Sequence, residues 1–178
     1  MIRDAEPRDV AAITAVYADA VTNGTGTWET APPDAPEMGR RLGQITGAGY
    51  PWLVAEGEGG VLGYGYAGPF RGRAAYDWSV EDTVYVAADA RGRGVGLALL
   101  EALIARCEAR GYRQMVAVLG DADGPSRGLH ERAGFEARGR LPGFGYKHGR
   151  WLDLLLMQRA LGAGAGTPPG QIGRGEAG

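Results

Sequence analysis

Residues 84–98 read Val84-Tyr85-Val86-Ala87-Ala88-Asp89-Ala90-Arg91-Gly92-Arg93-Gly94-Val95-Gly96-Leu97-Ala98. A β-type run leads into Arg-x-x-Gly-x-Gly. The residues from Gly94 to Arg110 then place Leu100, Leu103, Ile104 and Cys107 on one helical stripe, with Gly111 positioned to end the helix. A strand that turns straight into a helix leaves backbone amides unpaired at the helix N-terminus, where they converge on one point and suit an anion. Glycines at 92, 94 and 96 let the backbone approach that anion closely, and Arg91 and Arg93 add charge. The segment reads as a phosphate site. It is not a P-loop, which ends in Gly-Lys-Ser/Thr, because the one lysine, Lys147, is far away. Nor is it a dinucleotide fingerprint, because the third glycine is replaced by Leu97 or Leu99 and the turn is not the first strand-to-helix turn.

Working outward, Ile2-Arg3 reads as a short strand and Pro7 to Val21 as an amphipathic helix carrying Val10, Ile13, Val16, Tyr17 and Val21. A turn-rich loop around Trp28 separates it from a second helix over Pro36–Ile45. Pro51–Glu56 and Val61–Ala67 form a hairpin about Gly-Glu-Gly-Gly, and Trp78–Val86 is a further strand. There strict alternation would put Asp82 on the face of Val80 and Val84, and a β-bulge is expected. After the long helix come a buried-type strand, Gln114–Leu119, a short helix, Ser126–Arg132, and two strands from Phe135 onward that end with Trp151–Met157. The order is mixed α/β without repeats.

The chain has 178 residues, enough for one domain with a sizeable core. A formal net charge of −2 without a basic block argues against nucleic acid or an anionic membrane as partner, and no apolar run approaches the roughly 20 residues of a membrane span. Cys107 alone cannot close an internal disulfide, and 2 histidines leave little scope for a His-rich metal site. The start, MIRDAEPRDVAAITAVY, has neither an apolar secretory core nor the acid-poor character of a transit peptide, so a cytoplasmic location is expected. The 32 glycines and 10 prolines are not evenly spread, and the stretch from Gly162 to Gly178 is mostly Gly, Ala and Pro. Residues 1–161 are expected to form the domain, and 162–178, with Ile172 as the sole large apolar residue, to be disordered.

The Arg-x-x-Gly-x-Gly turn between a strand and its helix resembles the acetyl-CoA pyrophosphate loop of the GNAT N-acetyltransferase superfamily. Asp123-Gly-Pro-Ser126-Arg-Gly-Leu-His130-Glu-Arg-Ala-Gly134-Phe135 is similar to that superfamily's helix and Gly-Phe turn, with His130 where many members carry a tyrosine that serves the leaving thiolate. Further segments resemble the phosphinothricin and methionine sulfoximine N-acetyltransferases: Gly26-Thr27-Trp28-Glu29-Thr30, the run from Gly68 to Val86, Leu129-His130-Glu131, and Gly145 to Asp153. The resemblance covers nearly all of residues 2–160. It implies a GNAT fold, a mixed, mostly antiparallel sheet splayed at the cofactor and flanked by helices, with acetyl-CoA as co-substrate, no metal, and a homodimer.

Acyl transfer to an amine needs a neutral amine, a polarised carbonyl and a thiolate that can leave. An α-amino group has a pKa of about 8, so a base is required. Glu81 is the candidate, directly or through a water, and the resemblance puts the family's catalytic glutamate there. Asp82 is its rival. A strand amide near Val84, Tyr85 or Val86 is expected to polarise the carbonyl. His130 either protonates the thiolate or positions the amine. The resemblance assigns cofactor binding to residues 84–86 and 91–98, and puts Asp123 where an asparagine usually bonds the pantetheine amide. Ser126 is a substitute donor. Arg71 and Arg73 form a fork suited to tetrahedral oxygens, and the resemblance adds Tyr76, Thr27, Trp28 and Glu29 to the acceptor pocket, although Trp28 would serve equally as an apolar plug. Lys147 and His148 carry less weight. The acceptor is expected to be phosphinothricin, methionine sulfoximine or methionine sulfone. The alternatives are another amine (an antibiotic, a polyamine, a protein N-terminus) or a non-catalytic acetyl-CoA-binding module.

Overall fold

The computed structural model describes residues 1–173. Its strands are β1 (Ile2–Asp4), β2 (Trp52–Gly57), β3 (Gly60–Pro69), β4 (Ser79–Val86), β5 (Gln114–Leu119), β6 (Glu136–Lys147) and β7 (Arg150–Ala160). They form one sheet in the order β1-β2-β3-β4-β5-β7-β6. Every neighbouring pair is antiparallel except β4 and β5. That parallel pair is brief: it runs from Ser79 opposite Gln114 to Glu81 opposite Val116, after which the two strands part. The sheet is thus mixed α/β and open at its centre.

Helices α1 (Val10–Asn23) and α2 (Ala35–Gly47) cover one face, and α3 (Val95–Ala109) the other. Strand β2 shows why its sequence is apolar without alternation: Trp52 and Val54 pack with α1 and α2, while Leu53 and Ala55 meet Leu99 and Leu103 of α3. A strand covered on both sides has no wet face to mark. The stripe expected on the long helix is buried as Leu100, Leu103, Ile104 and Cys107, joined by Leu99. Helix α4 (Pro125–Arg132) closes over the gap between β4 and β5.

Two expectations fail. No bulge interrupts β4 against β3, whose register is unbroken from Gly63 opposite Val86 to Pro69 opposite Val80. Asp82 lies buried on the face of Val80 because His130 of α4 pairs with it there. The stretch 162–173 is also fastened to the domain. Arg113 donates to the carbonyls of Gly164 and Thr167 and to the Thr167 hydroxyl, Trp78 Nε1 donates to Gly170 O, and Gly173 N donates to Arg110 O. Ile172 packs on the main core. Counting only apolar side chains misses a segment held through its carbonyls by an arginine and a tryptophan elsewhere in the chain. The end of the expected tail, 174–178, lies outside the described residues.

Candidate active site

The turn after β4 passes through a short 3-10 segment, Ala88–Ala90, into α3. Gly92 (φ 74°) and Gly94 (φ 82°) both adopt the left-handed conformation that side chains resist, and Gly94 is the N-cap. The first helical bond of α3 runs from Ala98 N to Gly94 O. The amides of Val95, Gly96 and Leu97 therefore face outward, into a cleft of about 320 Å³ lined also by Arg91, Gly92, Leu129 and Arg132. Arg91 is anchored at that rim by Asp19 Oδ2 at 2.6 Å and Val86 O at 3.2 Å. Arg93 and Ala98 are exposed beside it.

A second cleft of about 300 Å³ continues along the edge of β4 that β5 has left, between Val84, Tyr85 and Val86 on one side and Gly120, Gly124 and Ser126 on the other. A strand edge without a partner offers its N–H and C=O groups to an extended, amide-bearing ligand. Thr25 donates to Asp121 Oδ2 at 2.9 Å and ties the loop after α1 to this wall.

The clefts lead to an inner chamber of about 140 Å³ with Thr27, Trp28, Glu81, Asp82, Ser126 and His130 in its lining. Glu81 is half-buried, and desolvation, aided by the negative charge of Asp82 and opposed by Arg71, raises its carboxyl above the usual value. His130 is fully buried: Nε2 lies 2.9 Å from Asp82 Oδ2 and Nδ1 2.7 Å from Ser126 O. Burial is the largest single influence and lowers its pKa, but the bond to Asp82, the negative charge of Asp82 and the bond to Ser126 O together outweigh it and the net shift is upward.

The loop over the chamber is rigidly held. Thr27 is buried, bonded to Tyr17 Oη at 2.9 Å, and its carbonyl accepts from Lys147 Nζ at 2.9 Å. Tyr17, its hydroxyl pushed up to about 12 chiefly by burial, donates to Glu29, which also accepts from Arg41 at 2.6 Å. Trp28 lies so close to the backbone of β6 that any side chain at Gly145 would run into its ring.

Some expected residues are not brought in. Asp123 turns outward to Arg140, at 2.8 and 3.2 Å, and lines none of the three cavities. The guanidinium fork draws it there and holds its carboxyl below the ordinary value. Arg71, Arg73 and Tyr76 are exposed on the loop before β4 and line no cavity in this set either. Arg71 sits over the Phe70 ring, and Tyr76 meets that ring edge-on. Missed by sequence reasoning were Asp19 and the burial of Lys147. The second had a signal: a single lysine inside a segment of glycines and aromatics.

The pattern describing the acetyltransferase (GNAT) domain matches residues 2–156. A phosphinothricin N-acetyltransferase of Alcaligenes faecalis is 48% identical over 169 residues, 94% of this chain and 86% of that protein. An L-methionine sulfoximine/L-methionine sulfone acetyltransferase of Pseudomonas aeruginosa is 44% identical over 161 residues, 90% of this chain and 94% of its own length. Among solved structures, a GNAT superfamily phosphinothricin acetyltransferase from Sinorhizobium meliloti, in complex with AcCoA, superposes with a TM-score of 0.93 at 49% identity, covering 96% of this chain and 92% of that one. The family match begins in β1 and ends within β7, so it takes in both the parted strands and the glycine turn, and the chain belongs to the GNAT family of N-acetyltransferases.

Proposed function

We propose that the protein is an acetyl-CoA-dependent N-acetyltransferase whose acceptor is a small amino-acid analogue of the phosphinothricin, methionine sulfoximine or methionine sulfone kind. The observation that carries this reading is the placement of Glu81, half-buried and with a raised pKa, in the chamber beyond the two clefts. Relatives at 48% and 44% identity that bear those substrate names support it.

The clefts fit acetyl-CoA. The open amides of α3 and Arg91 suit its pyrophosphate, and the unpaired edge of β4 suits its amide-bearing arm. When bound, acetyl-CoA supplies an acetyl group activated as a thioester. Glu81 removes the proton that the acceptor's ammonium must lose, directly or through one water, and its raised pKa brings it nearer the pH at which it works. A β4 amide near Val84 to Val86 donates to the carbonyl oxygen as charge builds there. The nitrogen–carbon bond forms as the carbon–sulfur bond breaks; Glu81 passes the ammonium's first proton on to solvent, and the second proton, which the nitrogen loses after attack, ends on the departing sulfur.

Thr27 and Trp28 line the acceptor side of the chamber, Glu29 holds their loop, and Arg71 adds positive charge near Glu81. Detoxification of such amines by a cytoplasmic homodimer completes the reading. Phe144, Tyr146 and Trp151, all exposed on the outer pair β6–β7, supply an apolar face for a second copy. The test is acetyl-CoA-dependent thiol release across phosphinothricin, methionine sulfoximine, methionine sulfone, ordinary amino acids and a polyamine. Saturable turnover of the analogues supports the reading, and turnover of the polyamine alone overturns the acceptor assignment. Sedimentation equilibrium tests the dimer.

A further inference from the structure

The buried pair of Asp82 and His130 has a geometry that restricts what either residue does. Nε2 of the imidazole faces an Asp82 carboxylate oxygen at 2.9 Å, and Nδ1 faces the Ser126 carbonyl at 2.7 Å, with the Ser126 hydroxyl more distant at 3.4 Å. A carbonyl only accepts, and an ionised carboxylate only accepts. Both ring nitrogens therefore donate, and both donations stay within the protein. Side-chain exposure is 3% for His130 and 1% for Asp82, so water replaces neither partner. We propose that Asp82 is a positioning residue for acetyl transfer: it locks His130 as a doubly protonated strut from β4 to α4, and through that strut fixes the wall that carries Ser126.

The strut sits where it is needed. β4 and β5 are paired only as far as Glu81 and Val116, and Asp82 is the first residue of β4 beyond the last pair. With no ladder there, the link to α4 takes over the spacing of the gap. Ser126 lies one turn before His130 and lines both clefts as well as the chamber. The surroundings favour a buried ion pair. On β4, Glu81 shares the chamber with Asp82. On α3, the Cys107 thiol is pushed up to about 12, mainly by burial, and remains neutral. On α4, Arg127 is paired away with Glu131. The Phe135 ring meets the imidazole edge-on at 5.0 Å, and Arg159 of β7 donates to the Ala133 carbonyl. Asp82 Oδ1 has no hydrogen-bond partner among the described residues, so the imidazolium is the one group seen to compensate the carboxylate. With both N–H groups occupied, His130 has no proton to hand to a departing thiolate.

The inference rests on the proposed reaction, but its first test does not. With 2 histidines in the chain, the exposed one removed as His148→Asn, nitrogen-15 spectra report His130 alone. Two ring N–H groups persisting well above the ordinary imidazole pKa of about 6.5 are expected. A single ring proton at pH 6 overturns the proposal, and this measurement needs no change at Asp82. The second arm is Asp82→Asn, with Asp82→Glu as the charge-keeping control. Asp82→Asn should bring the His130 titration to or below the ordinary range and weaken calorimetric acetyl-CoA binding about tenfold, the worth of a hydrogen bond between charged groups. Asp82→Glu should keep the two ring protons. Unchanged spectra in Asp82→Asn, or a fall in kcat with acetyl-CoA affinity intact, would overturn it, the second by making His130 a proton donor. Failure of every acceptor with these spectra as expected would refute the acceptor reading and leave the strut standing.

Discussion

The anion cradle at α3 and the inner chamber lie at opposite ends of one groove and are built from different materials. The cradle is made of backbone: amides of residues 95–97, two left-handed glycines and one arginine at the rim. The chamber is made of side chains from the loop after α1 and from β4, β5 and α4, with Thr27 and Asp82 pinned by partners distant in sequence, Tyr17 of α1, Lys147 of β6 and His130 of α4. A backbone site is specified by where side chains must be absent, which is a local property. A side-chain site is specified by pairings that no local pattern contains.

The comparison breaks first at Glu81, where the largest loss is expected. Glu81→Gln keeps the shape of the chamber wall and removes the base. Activity should fall by about 10²- to 10⁴-fold, the usual range for general-base catalysis. Calorimetric affinity for acetyl-CoA should be unchanged, because the cradle is untouched. The sign of the pH dependence follows from the raised pKa: wild-type kcat/KM climbs as Glu81 deprotonates, through a limb displaced above the ordinary carboxylate range, and the variant lacks that limb. Loss of acetyl-CoA affinity in Glu81→Gln would show that the two ends are not separable.

Arg91→Gln is the converse. Its guanidinium is held at the rim by Asp19 and Val86 rather than by anything in the chamber. Acetyl-CoA should bind roughly tenfold more weakly, the loss of one charge-assisted contact, with a shallower salt dependence and kcat close to wild type. A large fall in kcat at saturating acetyl-CoA would place Arg91 in the chemistry instead.

How much was legible in the sequence follows the same division. The spacing of apolar residues located α1 and α3, and the glycines at 92 and 94 located the cradle, because each signal is contained in one short window. A bulge in β4 would explain Asp82 from its own strand alone. The cause is His130, 48 residues away on α4, and no alternation rule reports such a partner. The segment 162–173 failed in the same manner: its composition predicts no order, but Arg113 and Trp78 supply the donors that its carbonyls lack. The acceptor fork drawn from Arg71 and Arg73 assumed an extended strand, whereas β3 ends at Pro69 and both arginines lie on an exposed loop.

Arg41 sharpens the chamber side with a smaller effect. It is the cation that holds Glu29, and through Glu29 the Thr27–Trp28 loop, without lining the chamber itself. Arg41→Ala should raise the acceptor KM a few fold, about the scale of one partly exposed ion pair, and leave acetyl-CoA affinity alone. Circular dichroism melting separates this local loosening from general destabilisation. An unchanged acceptor KM would mean that Tyr17 and Lys147 suffice to hold the loop.

The smallest effect is expected at Asp123, and it discriminates between sequence analogy and geometry. If the residue stood beside the pantetheine amide, where the resemblance puts it, Asp123→Asn would restore a donor and tighten acetyl-CoA binding. By geometry, the carboxylate is exposed and bonded to Arg140 through both oxygens, outside both clefts. An exposed pair of this kind contributes little to stability, and its charge is screened from the groove. Asp123→Asn is therefore expected to leave acetyl-CoA affinity within about twofold of wild type, because an ordinary surface substitution shifts energies by only a few tenths of a kcal/mol. A gain of tenfold would mean that Arg140 releases the side chain toward the groove when acetyl-CoA binds. The wall at Gly124 and Ser126 would then depend on a side chain after all, and the division between a backbone-built and a side-chain-built end would have to move along the groove to include it.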